Sequence, residues 1–448
     1  MTAPHPDLAR KIENTKNIVN VGKHNLIPGL HTKYPQDYVD IDTYTVLDKV
    51  KPWADKLPYG TVPQNLYPLQ LSHQTIRSSV PIVRDRILVV CVDFPDKPAT
   101  VALSDVYNRF FSLTAFGGST LANYYKEISY NKHTPEGIVR GWYRAPHNLT
   151  YYANGTYGMG NEPNGITLFT DIWNQVENDP TIDWSYIDAN NDNNVNYLMI
   201  VHSGYDASAT GNVNDIWPQA LGYGRRIGTT DKYLTNALWN IAIVAEKISG
   251  NSSYSVTGTY CHEYGHLLGL LDLYFGSSTA DAQLGNFSLM ANGSWLNGGT
   301  TPCHLDAYSK HRVGFTDSII NASGTITVPD SETNSTDFLY TTINYDVVAP
   351  PLYGTTYPDS RMYEYFIVSN RQNKLFDLYI PANGIFIYHV RELFYQGVFF
   401  TIVELKQADG RTDLQGRANL GDSGDSYPGS TNKRSFGKST NPNTELYP

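Results

Sequence analysis

Residues 261–274 read CHEYGHLLGLLDLY. Two histidines, a glutamate, two glycines and an aspartate fall among leucines and tyrosines in a run that otherwise favours a helix. Polar side chains on an apolar helix are costly unless something pairs with them. Either that face meets water, or the cluster holds something. On a helix His262 and His266, four residues apart, share one face and aim two imidazoles at one point. Zinc suits such a pair, since it is bound tetrahedrally by nitrogen and oxygen ligands. Glu263, beside the first histidine, is placed to take a proton from a metal-bound water rather than to bind the metal. Gly269 can end the helix in a conformation other residues avoid. The chain then turns back, so that Asp272 offers a carboxylate as third ligand and the fourth position is left to water.

The competing reading is an amphipathic helix whose histidines face solvent. At this composition, chance yields His-Glu-x-x-His about once in 100 chains of this length, and the further glycine and aspartate lower that to roughly one in 20,000. Gly265 inside the helix costs about 1 kcal/mol against alanine, and helix formation alone gives no reason to keep it. The spacing therefore predicts one catalytic zinc on His262, His266 and Asp272, with Glu263 as general base.

The whole chain sets the frame. Its 448 residues suffice for two domains, or for one large domain with a subsidiary lobe. Charged residues make up 17 % and the net charge is −10, which excludes the basic footprint of a nucleic-acid binder. No apolar run is long enough to predict a membrane span. The opening MTAPHPDLARKIENTKN lacks the apolar stretch of a signal peptide. Even so, the plentiful Asn, Ser, Thr and Gly, and 34 tyrosines against 16 phenylalanines, point to an extracellular or cell-surface protein. Cys91, Cys261 and Cys303 make no disulfide framework; Cys91 reads as a small buried hydrophobe, and a Cys261–Cys303 pair stays open.

Residues 1–80 show no periodic core, yet Tyr38, Tyr44, Trp53, Tyr59 and Tyr67 are too many aromatics for a disordered tail. An extended segment packed on the rest is expected, as a pro-like restraint or as a permanent extension. Beyond it, RILVVCVDF (86–94) reads as a buried strand, with further strands at 137–145, 195–202 and 237–246. Helices are expected at 104–113, 120–128 and 166–176. Asp188, Asn190, Asp192, Asn194 and Asn196 alternate oxygen-bearing side chains as a calcium loop does. The loop is no EF-hand, because Asn193 and Met199 occupy the sixth and twelfth positions; a solvated turn is the alternative. GDSGD (421–425), with Asp409, reads as an ordinary turn.

Downstream, NFSLMANGSW (286–295) places Met290 in a tight polar turn 24 residues after His266. That resembles the Met-turn of metzincins. His-Glu-x-x-His-x-x-Gly-x-x-Asp followed by SLMANGSW resembles the immune inhibitor A family of secreted metallopeptidases, a metzincin-like group. The resemblance spans roughly 81–448 and includes ILVVCVDFPDKP (87–98), STLANYYKEISYNK (119–132) and DANNDNNVNYLMIVHSG (188–204). It continues through PCHLDAYSKHRVGF (302–315), YEYFIVSNRQNKLFDLYIPANGIFIYHV (363–390) and the acidic blocks of 407–429.

The resemblance implies zinc-dependent cleavage of protein or peptide substrates in a cleft between two lobes. By position it makes His262, His266 and Asp272 ligands and Glu263 the base. The expected fold is α+β and metzincin-like, with two lobes. A twisted mixed sheet with helices (about 81–269) would end in the active-site helix, and a strand-rich part would carry the Met-turn. As domains, the N-terminal segment 1–80 precedes a catalytic core at 81–315 and a strand-rich C-terminal part at 316–448. His304 and Tyr308 are the candidates for lining the cleft, although His202, His304 and His389 can equally be hydrogen-bonded structural histidines. Two other classes stay open: a catalytically silent surface or virion-associated protein, and a peptide- or glycan-binding module.

Overall fold

The run Ile87–Asp93 forms strand β1, and every residue in it is buried. A strand covered on both faces reads as continuous apolar sequence rather than an alternating one. In the computed structural model, the described residues are 71–72, 75–76, 86–190, 194–221, 233–234, 241–250, 255–274, 280–346, 361–395 and 398–444. β1 lies inside a five-stranded sheet, between β2 (Gly137–Arg144) and β3 (Tyr197–Tyr205). β3 is followed in the chain by the one-turn helix α4 (Ala207–Thr210) and the short strand β4 (Gln219–Leu221). Beyond β3 in the sheet comes β5 (Ile241–Lys247), with β4 at the edge. The pairings β1–β2, β1–β3 and β3–β5 are parallel, and β4 is antiparallel to β5.

One face of this sheet, including Leu88, Val90, Ile200 and Ile243, packs against α3 (Gly165–Glu177). Asn164 starts that helix with a capping box, accepting from the Thr167 amide while Thr167 bonds back. The other face belongs to a larger core with α1 (Leu103–Phe111), α2 (Leu121–Ile128) and the helix α5 (Thr257–Leu267). The same core runs on into a second, six-stranded sheet through Leu339, Ile367, Tyr388 and Leu405. In spatial order that sheet comprises β6 (Ala280–Ala282), β11 (Val398–Leu405), β10 (Gly384–Tyr395), β9 (Arg361–Arg371), β8 (Thr336–Asp346) and β7 (Asp317–Ile320). Its two outer pairings are parallel and its inner ones antiparallel. The architecture is mixed α and β with mixed sheets.

The strand expected at 195–202 starts at Tyr197, because Asn194–Val195 pair instead with Tyr233–Leu234. The strand expected at 237–246 is seen from Ile241 on; residues 237–240 lie outside the described residues. So does the 1–80 segment, apart from a short antiparallel pairing of Leu71–Ser72 with Thr75–Ile76. Among the described residues no helix is long and apolar enough to cross a membrane. Cys261 and Cys303 do not pair: both are buried free thiols. Their carbonyls are held apart on the two tyrosines of α2, Tyr125 donating to Cys261 at 2.7 Å and Tyr124 to Cys303 at 2.7 Å.

The C-terminal sheet is tied to the loop beside α5 by a buried arginine held in an ion pair. Arg371, at the end of β9, donates through Nε and Nη2 to Asp377 at 2.9 and 2.7 Å. Its Nη1 donates to the Phe287 carbonyl and, at 3.2 Å, to the Tyr388 hydroxyl. Burial opposes both charges, yet each holds the other ionised: Asp377 lies well below the usual carboxylate range and Arg371 well above its own. Removing one member of such a pair strands the other. Arg371→Met should therefore cost about 3–5 kcal/mol in urea unfolding, and adding Asp377→Leu should recover part of it, since the Phe287 carbonyl and the His304 amide still lose their partners. A single variant as stable as the parent would contradict this.

Candidate metal centre

Every residue of α5 from Thr257 to Leu267 is buried, so its histidines do not face solvent. Thr257 anchors the helix start by donating from its hydroxyl to the Ser119 carbonyl at 2.9 Å. The other end closes as sequence chemistry demands. Gly269 adopts φ +88°, its amide bonds the His266 carbonyl at 2.8 Å, and the Leu270 amide bonds the Gly265 carbonyl at 3.0 Å. This is the Schellman pattern, which needs a residue at ease in the left-handed region. The turn folds the chain back over the histidines. Asp272 Oδ1 lies 3.1 Å from His262 Nε2 and 3.2 Å from His266 Nε2.

The other ring nitrogens are occupied from behind. His262 Nδ1 lies 2.9 Å from the Leu289 carbonyl, and His266 Nδ1 lies 2.9 Å from the Leu270 carbonyl. A carbonyl only accepts, so in each neutral imidazole Nδ1 carries the proton and Nε2 presents a lone pair. The ligand atoms of His262, Glu263 and His266 lie within 4.8 Å of one another. The Tyr274 phenol bonds to Asp272, and burial together with the carboxylates of Asp272 and Glu263 pushes it well above its ordinary value. It therefore stays protonated and donates. Two imidazole lone pairs and an ionised carboxylate, each fixed by an outer partner, suit a metal that takes nitrogen and oxygen ligands.

Gly265 finds its explanation here. A Cβ at this position would lie 2.7 Å from Met290 Sδ, so the fully buried thioether presses against the helix backbone beside His266. Leu289, the neighbour of Met290, supplies the carbonyl that orients His262. One loop thus serves both purposes.

The remaining predicted residues are not among the converging ligand atoms. His304 is fully buried, with Nε2 2.8 Å from Glu127 and Nδ1 3.0 Å from Lys310 Nζ. Tyr308 donates to Glu392 at 3.3 Å. Both are engaged in buried polar networks and are not in the histidine group. His202 and His389 are likewise buried, on β3 and β10. Asp188 is buried after the turn Trp184–Ile187 and Asn190 is exposed. Asp192 and the side chain of Asn194 lie outside the described residues. Asp409, Asp413 and Asp422 draw their carboxylates within 4.8 Å of one another, a closer grouping than an ordinary turn implies. Sequence reasoning missed Tyr274 and the carbonyls of Leu270 and Leu289. Tyr274 reads as one more core aromatic, and a carbonyl has no signature in sequence.

Gly265→Ala should gain about 1 kcal/mol of helix propensity yet lose about 1–3 kcal/mol by overpacking against Met290. In unfolding experiments the loss should shrink when Met290→Ala is added. Strictly additive effects would show that the two positions do not touch.

Residues 80–317 match the immune inhibitor A peptidase M6 catalytic domain. The pre-pro-metalloprotease PrtV of Vibrio cholerae serotype O1 is 27 % identical over 267 residues, which is 50 % of this chain and 29 % of that protein. Immune inhibitor A of Bacillus thuringiensis subsp. alesti is 26 % identical over 271 residues, 51 % of this chain and 39 % of that protein. The chain thus matches well under half the length of either relative. The matched domain fills more than half of this chain and encloses the whole group from His262 to Asp272. This chain belongs to the immune inhibitor A peptidase M6 family of metallopeptidases.

Proposed function

We propose that the chain is a zinc-dependent endopeptidase acting on protein or peptide substrates. One observation carries the reading: His262 Nε2, His266 Nε2 and Asp272 Oδ1 converge, with Glu263 alongside. These three residues would hold the zinc, which when bound acts as a Lewis acid toward water and the scissile carbonyl. Glu263 orients the attacking water and takes its proton as the water oxygen adds to the carbonyl carbon. It then gives that proton to the amide nitrogen as the carbon–nitrogen bond breaks, so its own ionisation is restored. The Leu289 and Leu270 carbonyls keep the imidazoles in one tautomer throughout, and Tyr274 keeps the Asp272 carboxylate in place. We read the loop carrying Met290 as a Met-turn supporting the helix, a reading favoured by the contact with Gly265.

The intact Glu263 speaks against a silent scaffold on this fold. Glu263→Gln should keep its zinc and its unfolding curve while casein hydrolysis falls by about 10²–10⁴-fold. Hydrolysis within a few-fold of the parent would rule Glu263 out as the base.

A structural calcium on the loop of Asp188, Asn190, Asp192 and Asn194 is a separate part of the proposal, supported by the burial of the Asp188 carboxylate. Calcium added to thoroughly chelated protein should then raise its Tm by mass action, and Asp188→Ala should abolish the rise. A parental Tm indifferent to calcium would leave the loop a plain turn.

A further inference from the structure

Asp206 follows the last residue of β3 and is completely buried. Its amide donates to the Lys247 carbonyl at the end of β5, at 3.0 Å. Its Oδ1 accepts from the amide and the hydroxyl of Ser208, capping the single turn of α4. Its Oδ2 accepts from the Thr259 hydroxyl on α5 at 3.3 Å. Thr259 stands one helical turn before Glu263, on the same face. One residue therefore joins the ends of two strands through its backbone, and a short helix to the face of α5 that carries Glu263 through its carboxyl.

Capping a four-residue helix does not require a buried acid, since an exposed Ser or Asn serves as well. Here the acid is costly. Burial and the Glu263 charge push the Asp206 carboxyl up to about 7, against the hydrogen bonds from Ser208 and Thr259. A second carboxyl oxygen that reaches Thr259 on α5 is what this position provides and an ordinary cap would not.

We infer that Asp206 is a positioning residue for hydrolysis: through Thr259 it fixes the turn of α5 bearing Glu263 to the ends of β3 and β5. The inference rests on the proposed role of Glu263. Catalytic groups tolerate little displacement, and a shift of about 1 Å can cost 10²-fold in rate. Losing the tether should therefore lower kcat more than it weakens substrate binding.

The test uses the full chain loaded with zinc, with casein-derived peptides as substrate. Asp206→Ala and Thr259→Val should each lower kcat by about 10–100-fold, with KM within about threefold and zinc content unchanged. The double variant should be no worse than either single one, because both cut the same link. Asp206→Asn should recover kcat to within about threefold of the parent, since its Oδ1 still accepts from Ser208 and its amide can donate to the Thr259 hydroxyl. In metal-free protein, amide hydrogen exchange over 257–267 should be faster in Thr259→Val than in the parent. Parental kcat in Thr259→Val, additive losses in the double variant, or unchanged exchange would each overturn the inference, even if Asp206→Ala failed to fold. Glu263→Gln measured alongside separates the two ideas. If it stays active, the proposed role of Glu263 as base fails; if it is inactive while Thr259→Val is normal, only the Asp206 role fails.

Discussion

The centre depends on the turn at Gly269. Without a left-handed residue there, α5 would run on and Asp272 would lie a further turn along the helix instead of over the histidines. With it, three events follow within four residues: the helix carbonyls are closed off, Leu270 turns its carbonyl to His266, and Asp272 returns to both Nε2 atoms. The geometry is local in sequence. It needs only a buried helix and one glycine.

What keeps that local geometry in place is not local. The loop carrying Leu289 and Met290 must lie against α5 closely enough for a carbonyl to reach His262 and a thioether to touch Gly265. Arg371 holds this loop through the Phe287 carbonyl, and Asp377 holds Arg371 while also accepting from the His304 amide at 2.8 Å. From the other side, Asp206 and Tyr125 of α2 bind the helix to the first sheet and its covering layer. A shared hydrophobic core joins both sheets around the helix, so a change in either is felt at the histidines.

This division explains what the sequence could say. β1 was legible because a strand buried on both faces is apolar throughout, and α3 because its apolar residues recur at helical spacing. His262, Glu263, His266, Gly269 and Asp272 were legible because one helix and one turn relate them. Asp206 with Thr259 and Arg371 with Asp377 were not: each pair is made by tertiary packing, and an isolated Asp or Arg in a strand end or loop looks solvated. The fate of Cys261 and Cys303 stayed open for the same reason, since the separating tyrosines sit on a helix more than a hundred residues away. His304 and Tyr308 caught attention as polar residues in a distinctive block, yet their partners Glu127, Lys310 and Glu392 come from distant elements.

The central claim is that His262, His266 and Asp272 form a three-ligand zinc site with Glu263 left free of the metal. Anomalous diffraction at the zinc absorption edge, from crystals of the full chain grown with one equivalent of zinc, tests it most directly. The account predicts one strong peak about 2.0–2.2 Å from His262 Nε2, His266 Nε2 and an Asp272 carboxylate oxygen, with Glu263 outside bonding distance. A peak bound by Glu263 in place of Asp272, or no peak at the two histidines, would contradict it.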